Sequence, residues 1–494
     1  QAEGGSNAGG MTTNGNVWGD PKGRHPFEVA YANTDWLHEL YKRSFSQEHN
    51  ASISGGNENF NYYASFGYMD INGMMRHGDD KRDRYNGTAK FSVKLNKWAR
   101  FTYTGRYTHT DTEMPNYFGD SWYELIGHQT WPNLPVYDAN GYYYSNGGQN
   151  VVMQNALGGR RNVARDETYH QVGLILEPVK DWFIRGEFNY AMDRSETKTL
   201  GLPIQDHCVD GTLLDLQQST TLYEYTFKDK YINWNIYSDY SFSLADAHNF
   251  KVMAGMQTED YKQHWISGYA FGLQDVNMPE FNLSTNLQGD GSEKTPQLRG
   301  ASNDWSILGY FGRLNYDYEG KYLLEANIRY DGSSRFRKGK RWTASPSFSV
   351  GWNIAQENFW ESIQPIVNVL KLRASYGQLS NQSTTDWYPT YRKMTVRNQS
   401  GTWLENGKYT DKAWVNDLVS SALTWEKVKT WNVGLDWGLF NNRLTGSFDA
   451  YIRDTDDMVG PPIELPNILG LDAPVYNNLS LIHISEPTRR TPIS

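Results

Sequence analysis

The strongest constraint on this chain is a period-two pattern that returns many times with a fixed rhythm of connections. Residues 308–336 read "LGYFGRLNYDYEGKYLLEANIRYDGSSRF". In both halves nearly every second residue is apolar or aromatic, and Arg313, Asp317, Glu325 and Arg329 stand between them. Such alternation is the mark of a strand with two unlike faces. It recurs at 62–69, 85–95, 101–107, 172–176, 182–190, 232–242, 250–256, 342–354, 370–376, 431–437 and 444–452. With a strand near Ala51 this gives about 14 strands of the length a tilted membrane strand needs. A short helix-like stretch, "DWLHELYKRSF" at 35–45, precedes them.

The connections alternate. Short ones lie at 96–98, 177–181, 243–249, 319–321 and 438–443; long ones lie at 110–168, 193–226, 262–304 and 379–424. Residues 355–369 form a longer short-side connection with room for a helical turn, and 332–340 a brief long-side one. Outer-membrane barrels have short periplasmic turns and long extracellular loops. A sandwich or propeller has no reason to keep that parity. The expected fold is all-β, a transmembrane antiparallel barrel. Leu308, Tyr310, Leu314, Tyr316 and Tyr318 then face lipid, as do Tyr322, Leu324, Ala326, Ile328 and Tyr330 across the turn. Arg313, Asp317, Glu325, Arg329, Lys371 and Arg373 face the lumen, toward a plug or water.

Composition fits this reading. Mean hydropathy is -0.71, and no apolar run approaches the roughly 20 residues of a spanning helix. A barrel hides its lipid face from such an average, because lumen residues alternate with lipid-facing ones. Aromatics make up 15% of the chain, with 34 Tyr and 18 Trp, as interface girdles demand. An aromatic-rich secreted β protein that binds or cleaves polysaccharide shares this composition. Loop parity and outward aromatics argue against it. The net charge of -9 comes without a basic, aromatic-interleaved groove, so no nucleic-acid partner is expected. Cys208 is the single cysteine, which excludes a disulfide framework within the chain.

Five segments in order carry a family resemblance. They are "NYYASFGYMDINGMM" (61–75), the 308–336 hairpin, "ASPSFSVGWNIAQENFW" (344–360), "LKLRASYGQLSNQ" (370–382) and "LTWEKVKTWNVGLDWGLFNNRLTGSFDAYIRDTDDM" (423–458). The chain resembles the SusC/RagA-like TonB-dependent outer-membrane transporters. The resemblance implies a barrel of about 22 strands around an N-terminal plug. It implies active import of oligosaccharides or peptides, a SusD-like surface lipoprotein as lid, and energy delivered by TonB through an N-terminal region. A TonB-dependent siderophore or cobalamin receptor is the alternative within the fold; the five segments favour the SusC-like branch.

Against that family, residues 1–46 are expected to be a loop and short helix leading into the barrel, and 47–478 a partial barrel. Plug and TonB-binding region are expected to be absent, with about 14 of about 22 strands present. Two unpaired edges follow, so import is expected of a full-length parent. The tail "LSLIHISEPTRRTPIS" (479–494) reproduces the translation of a common transposase sequencing adaptor, with 490–492 spanning its index. It is expected to be foreign to the fold.

No HExxH, P-loop or GxSxG motif occurs, and no enzyme activity or cofactor is expected. "QDHCVDG" (205–211) has no second Cys/His pair nearby, and "DTDDM" (454–458) lacks the Gly and distal Glu of a calcium loop. The run "DDKRDR" (79–84) reads as an exposed turn. Candidate ligand contacts are loop aromatics: Trp122, Trp131, Tyr142, Tyr143 and Tyr144 in the first long loop, and Trp387, Trp403 and Trp414 in a later one. Such rings stack on sugars, anchor protein interfaces or pack their own loops, and all three readings stand. Resequencing the genomic DNA should show coverage breaking at codon 479; unbroken coverage would make the tail native.

Overall fold

A computed structural model describes residues 32–117, 123–124, 126–127, 130–138, 140–144, 150–208, 210–214, 219–384, 386–397, 401, 403–415, 419, 423–459, 478–479 and 482–484. Fourteen long strands dominate it: β1 (Ser46–Gly56), β2 (Phe60–Asn72), β3 (Lys81–Asn96), β4 (Ala99–Pro115), β5 (Gly159–Val179), β6 (Trp182–Gly201), β7 (Thr221–Leu244), β8 (His248–Phe271), β9 (Gln297–Tyr318), β10 (Tyr322–Ser333), β11 (Trp342–Asn353), β12 (Val367–Asn381), β13 (Glu426–Leu439) and β14 (Leu444–Asp456). Each pairs antiparallel with its neighbours in chain order, so the sheet is a single up-and-down meander. Among the described residues it stays open: β1 pairs only with β2, and β14 carries the three-residue segment Ile482–Ile484 along Thr455–Arg453. Residues 482–484 of the 479–494 tail thus lie against the last long strand.

Register decides the faces. Across the β9–β10 hairpin Tyr310 pairs with Tyr330, Leu314 with Ala326 and Tyr316 with Leu324, while Phe311 pairs with Arg329 and Asn315 with Glu325. The apolar row continues through Val350, Ala374, Val433 and Ala450. These outward residues remain largely exposed within the chain; Val433 is 59% and Phe448 65% accessible. A contiguous apolar surface of that kind needs lipid against it. Lumen-facing Arg373 instead hydrogen-bonds Asp436 at 2.8 Å and Asp449 at 3.0 Å.

Tight turns close the periplasmic end. At 319–321 both Glu319 (φ 51°) and Gly320 (φ 68°) take left-handed conformations, which match the twist of the flanking strands. The connection after β11 holds two short 3-10 turns, Ile354–Gln356 and Asn358–Trp360, as its length predicts.

Three expectations need correction. The strands run farther on the long-loop side than the alternation indicates: β4 reaches Pro115, β8 reaches Phe271 and β9 begins at Gln297. Above the lipid both faces meet water, so the pattern fades while the pairing continues. The helix covers only Trp36–Leu40 (α1); Asp35 caps it through the His38 amide, and Tyr41 turns extended to bridge Met75. The charged run 79–84 is not all turn, since β3 starts at Lys81 and Lys81 faces Glu113.

On β13 outward Val433 stands between Trp431 and Trp437, inside the lipid-facing belt. Val433→Arg should therefore cost about 2–4 kcal/mol. Lumen-facing Asn432→Arg should cost less than about 1 kcal/mol. Denaturant unfolding of the protein in lipid vesicles measures both.

Candidate functional site

Strands β7 and β8, each 24 residues long, rise above the lipid belt. On their outer face the apolar run ends at the pair Ile232–Asp260, and Lys230 then faces Lys262. On the inner face the aromatics continue upward. Tyr223 pairs with Tyr269, Phe227 with Trp265 and Tyr231 with Tyr261. Tyr261 in turn faces Trp305 on β9. The rings lie against each other: Tyr225 to Trp265 at 6.0 Å, Tyr223 to Tyr269 at 6.3 Å, and Tyr261 stacked on Trp305 at 5.8 Å. All of these residues are half-buried, so their faces stay partly accessible from the lumen.

A cavity of about 380 Å³ opens there, lined by Tyr223, Tyr225, Trp265, Ser267, Tyr269, Gln297 and Arg299. Ring faces accept the apolar side of a sugar or an aliphatic chain. Gln297 and Arg299 supply planar hydrogen-bonding groups at its edge. This patch was missed in the sequence because its strands there look like loops. Its signal is phase: counting in twos along β8 from lumen-facing Lys251 lands on Tyr261, Trp265 and Tyr269.

Trp387 joins the same wall from the loop after β12. It stacks on Tyr261 at 5.8 Å and 11°. The Arg335 guanidinium lies 5.4 Å from the Trp387 ring centre and 5.7 Å from that of Trp305, within cation–π range. Burial lowers the Arg335 pKa from its ordinary value. Its Nη1 donates to Thr384 Oγ1 at 3.1 Å, whereas Nε has no partner among the described residues. The loop is latched by Arg337 Nε donating to the Thr390 carbonyl at 2.8 Å and Thr390 Oγ1 donating to the Arg335 carbonyl at 3.1 Å.

The other loop aromatics separate by burial. Tyr144 is 4% exposed in a core with Trp36, Leu40, Met75, Leu134, Val136, Val151 and Val152. Burial pushes its phenol up to about 12. Asn150 organises this core, capping the helix Val151–Leu157 (α2) and donating to the Val136 and Tyr144 carbonyls at 2.9 Å. Tyr143 is half-buried on Tyr137 at 5.0 Å. Tyr142 stacks on His207 at 3.8 Å, beside buried Cys208. Trp131 (47%) and Trp403 (65%) are exposed. Trp414 lies in the short strand Lys412–Val415, and Trp122 lies outside the described residues.

Lower in the lumen, charges pair along the wall. Asp239, 2% exposed, holds Arg185 and Lys251, the latter at 3.5 Å. Glu325 accepts from Asn315 at 2.6 Å and Asn327 at 2.8 Å, Arg313 Nε donates to Asn327 at 2.6 Å, and Arg329 holds Asp331 and Gln257 at 2.8 and 3.0 Å. Asp317 accepts from Asn249 at 3.0 Å, and Lys371 shares the face.

An apolar outer belt, a charged inner wall and an aromatic inner rim on one continuous meander define the wall of a membrane-spanning β-barrel. Over residues 116–479 the chain matches the family described as "TonB dependent receptor-like, beta-barrel". It belongs to this outer-membrane family. It is 27% identical over 498 residues to the TonB-dependent receptor SusC of Bacteroides thetaiotaomicron, which covers 94% of this chain and 46% of that protein. A TonB-dependent receptor of Formosa agariphila is 27% identical over 460 residues, 90% of this chain and 43% of that protein. The chain thus spans just under half the length of these relatives. The structure titled the RagAB peptide transporter shares its fold, with a TM-score of 0.74 at 23% identity, over 92% of this chain and 49% of that one.

Tyr144→Ala should destabilise the 130–157 segment by about 3–5 kcal/mol, the cost of emptying a buried aromatic site, and Trp131→Ala by less than about 1 kcal/mol. Hydrogen exchange of the α2 amides reads both.

Proposed function

We propose that this chain is the substrate-facing wall of a TonB-dependent importer of large nutrients, oligosaccharides or peptides, with a SusD-like surface lipoprotein closing its mouth. The observation that carries this reading is the inward aromatic rim of β7–β9, joined by Trp387 and set above the lipid. A rim there meets cargo before the charged lumen does. The SusC/RagA-like resemblance implies an oligosaccharide or peptide cargo, and RagAB, which shares the fold, is a peptide transporter. The wall binds and releases its cargo unchanged, with TonB acting through a plug-bearing region of the full-length protein. Exposed Trp131, Tyr142 and Trp403 are offered to cargo or lid, with Tyr143 and Tyr144 supporting that surface from beneath; Trp122 and Trp414 are candidates for the same contacts on sequence alone. The family match ends at 479, which supports reading the following residues as foreign.

In the full-length protein, Trp265→Ala combined with Tyr225→Ala should lower uptake of its cargo about tenfold or more, a loss of roughly 1.4 kcal/mol. Growth on single purified glycans and on peptides, with surface expression held equal, identifies the cargo. Unchanged uptake of every tested cargo would reject the rim as its binding site.

A further inference from the structure

The outer face of the same strands carries an arrangement the import reading does not use. Just above the apolar belt, one hydrogen-bonded row reads Met192, Lys230, Lys262 and Asp304 across β6–β9, and the next reads Arg194, Lys228, His264 and Ser302. Lys230 therefore stands directly opposite Lys262, and Lys228 opposite His264. Like charges at facing positions on one sheet face repel. A protein folding in water would match them with carboxylates. Here Lys228, Lys230 and Lys262 form no ion pair among the described residues. The nearby carboxylates are already engaged: Asp304 accepts from Tyr388 Oη at 3.0 Å, Asp260 accepts from Ser306 Oγ, and Glu196 holds Arg194.

Position identifies the missing partner. Two residues below the lysine row lie Ile232 and, on β6, Tyr190; two further down lie Trp234 and Phe188, whose tilted rings meet at 4.5 Å as part of the aromatic girdle. The Lys230 ammonium lies 5.8 Å from the Tyr190 ring centre. Its stem thus leans on the girdle with the charge above it, as lysines do at a membrane boundary. All of Arg194, Lys228, Lys230, Lys262 and His264 are exposed, and the three lysines and His264 outnumber Asp229 and Asp304 in lining a cavity of about 390 Å³ with Gln263, Ser302 and Asn303. A cationic pocket continuous with a lipid-facing belt meets headgroups.

We propose that Arg194, Lys228, Lys230, Lys262 and His264 form a binding site for the phosphate groups of an outer-leaflet glycolipid, whose anionic charge bridges the opposed lysines. Acyl chains of the same molecule lie along the Trp234, Ile236, Tyr240 and Phe242 row below. The site needs the outward face and the membrane; it does not need any cargo to be imported, so loss of the import reading would leave it standing.

The test uses the full-length protein purified from outer membranes in mild detergent. Native mass spectrometry should find a phosphorylated glycolipid retained by the wild type. The triple variant K228Q/K230Q/K262Q, checked for heat-modifiable mobility as a folded barrel, should bind added lipid A about a hundredfold more weakly, at roughly fivefold for each lysine removed near an anionic surface. If the variant does not fold, the wild type still decides: lipid A should bind more tightly than dephosphorylated lipid A, and added salt should narrow the gap. Equal binding of the two lipids would overturn the site. So would complete displacement of lipid A by inorganic phosphate, which would assign the pocket to a soluble anion.

Discussion

Within a bilayer no water reaches the backbone, so each peptide N–H and C=O in the wall must find its partner on the next strand. Everything else in this protein follows from that pairing. It holds fourteen strands in chain order, and with a repeat of two it sorts every side chain to lipid or lumen. A one-residue slip between β9 and β10 would put Arg329 in lipid and Tyr330 in the lumen. The charge of the lumen and the greasiness of the belt are two consequences of one register.

That constraint explains how much was legible in the sequence. Inside the membrane the two faces meet different solvents, so Leu314/Arg313 or Val433/Asn432 alternate and the strands can be counted. Above it both faces meet water. Lys228, Asp229 and Lys230 then carry no period, although β7 continues unbroken through them to Thr221. The aromatic rim sits in this silent zone, which is why Tyr225 and Trp265 read as loop residues. The short helix fails for another reason: Tyr41 leaves it for Met75, 34 positions along the chain, and local spacing carries no trace of that bridge.

The loops divide the same way. Trp, Tyr and Asn in the 116–158 segment look alike in the sequence, yet Tyr144 and Asn150 are sealed in a small core while Trp131 is open to solvent. Composition marks a loop as ready for contact; only packing tells which rings are committed to holding it up. The lumen network is similar. Arg185, Asp239 and Lys251 are far apart in the chain, but register puts them on one patch of wall, where buried Asp239 is compensated by two cations.

The height of β7 and β8 has a consequence of its own. From Ile232 up to Thr221 the wall climbs roughly 25–30 Å beyond the lipid, taking about 3.3 Å per residue and a tilt near 40°. If the rim binds cargo as proposed, recognition rests on paired strands, and little order has to be imposed when cargo arrives. It is also uncoupled from the bilayer. Substitutions at Tyr225, Trp265 or Arg299 change what the rim meets without altering a residue that lipid touches. On the proposed reading, one membrane-fitted wall can be retuned to new cargoes while its insertion into the membrane stays the same.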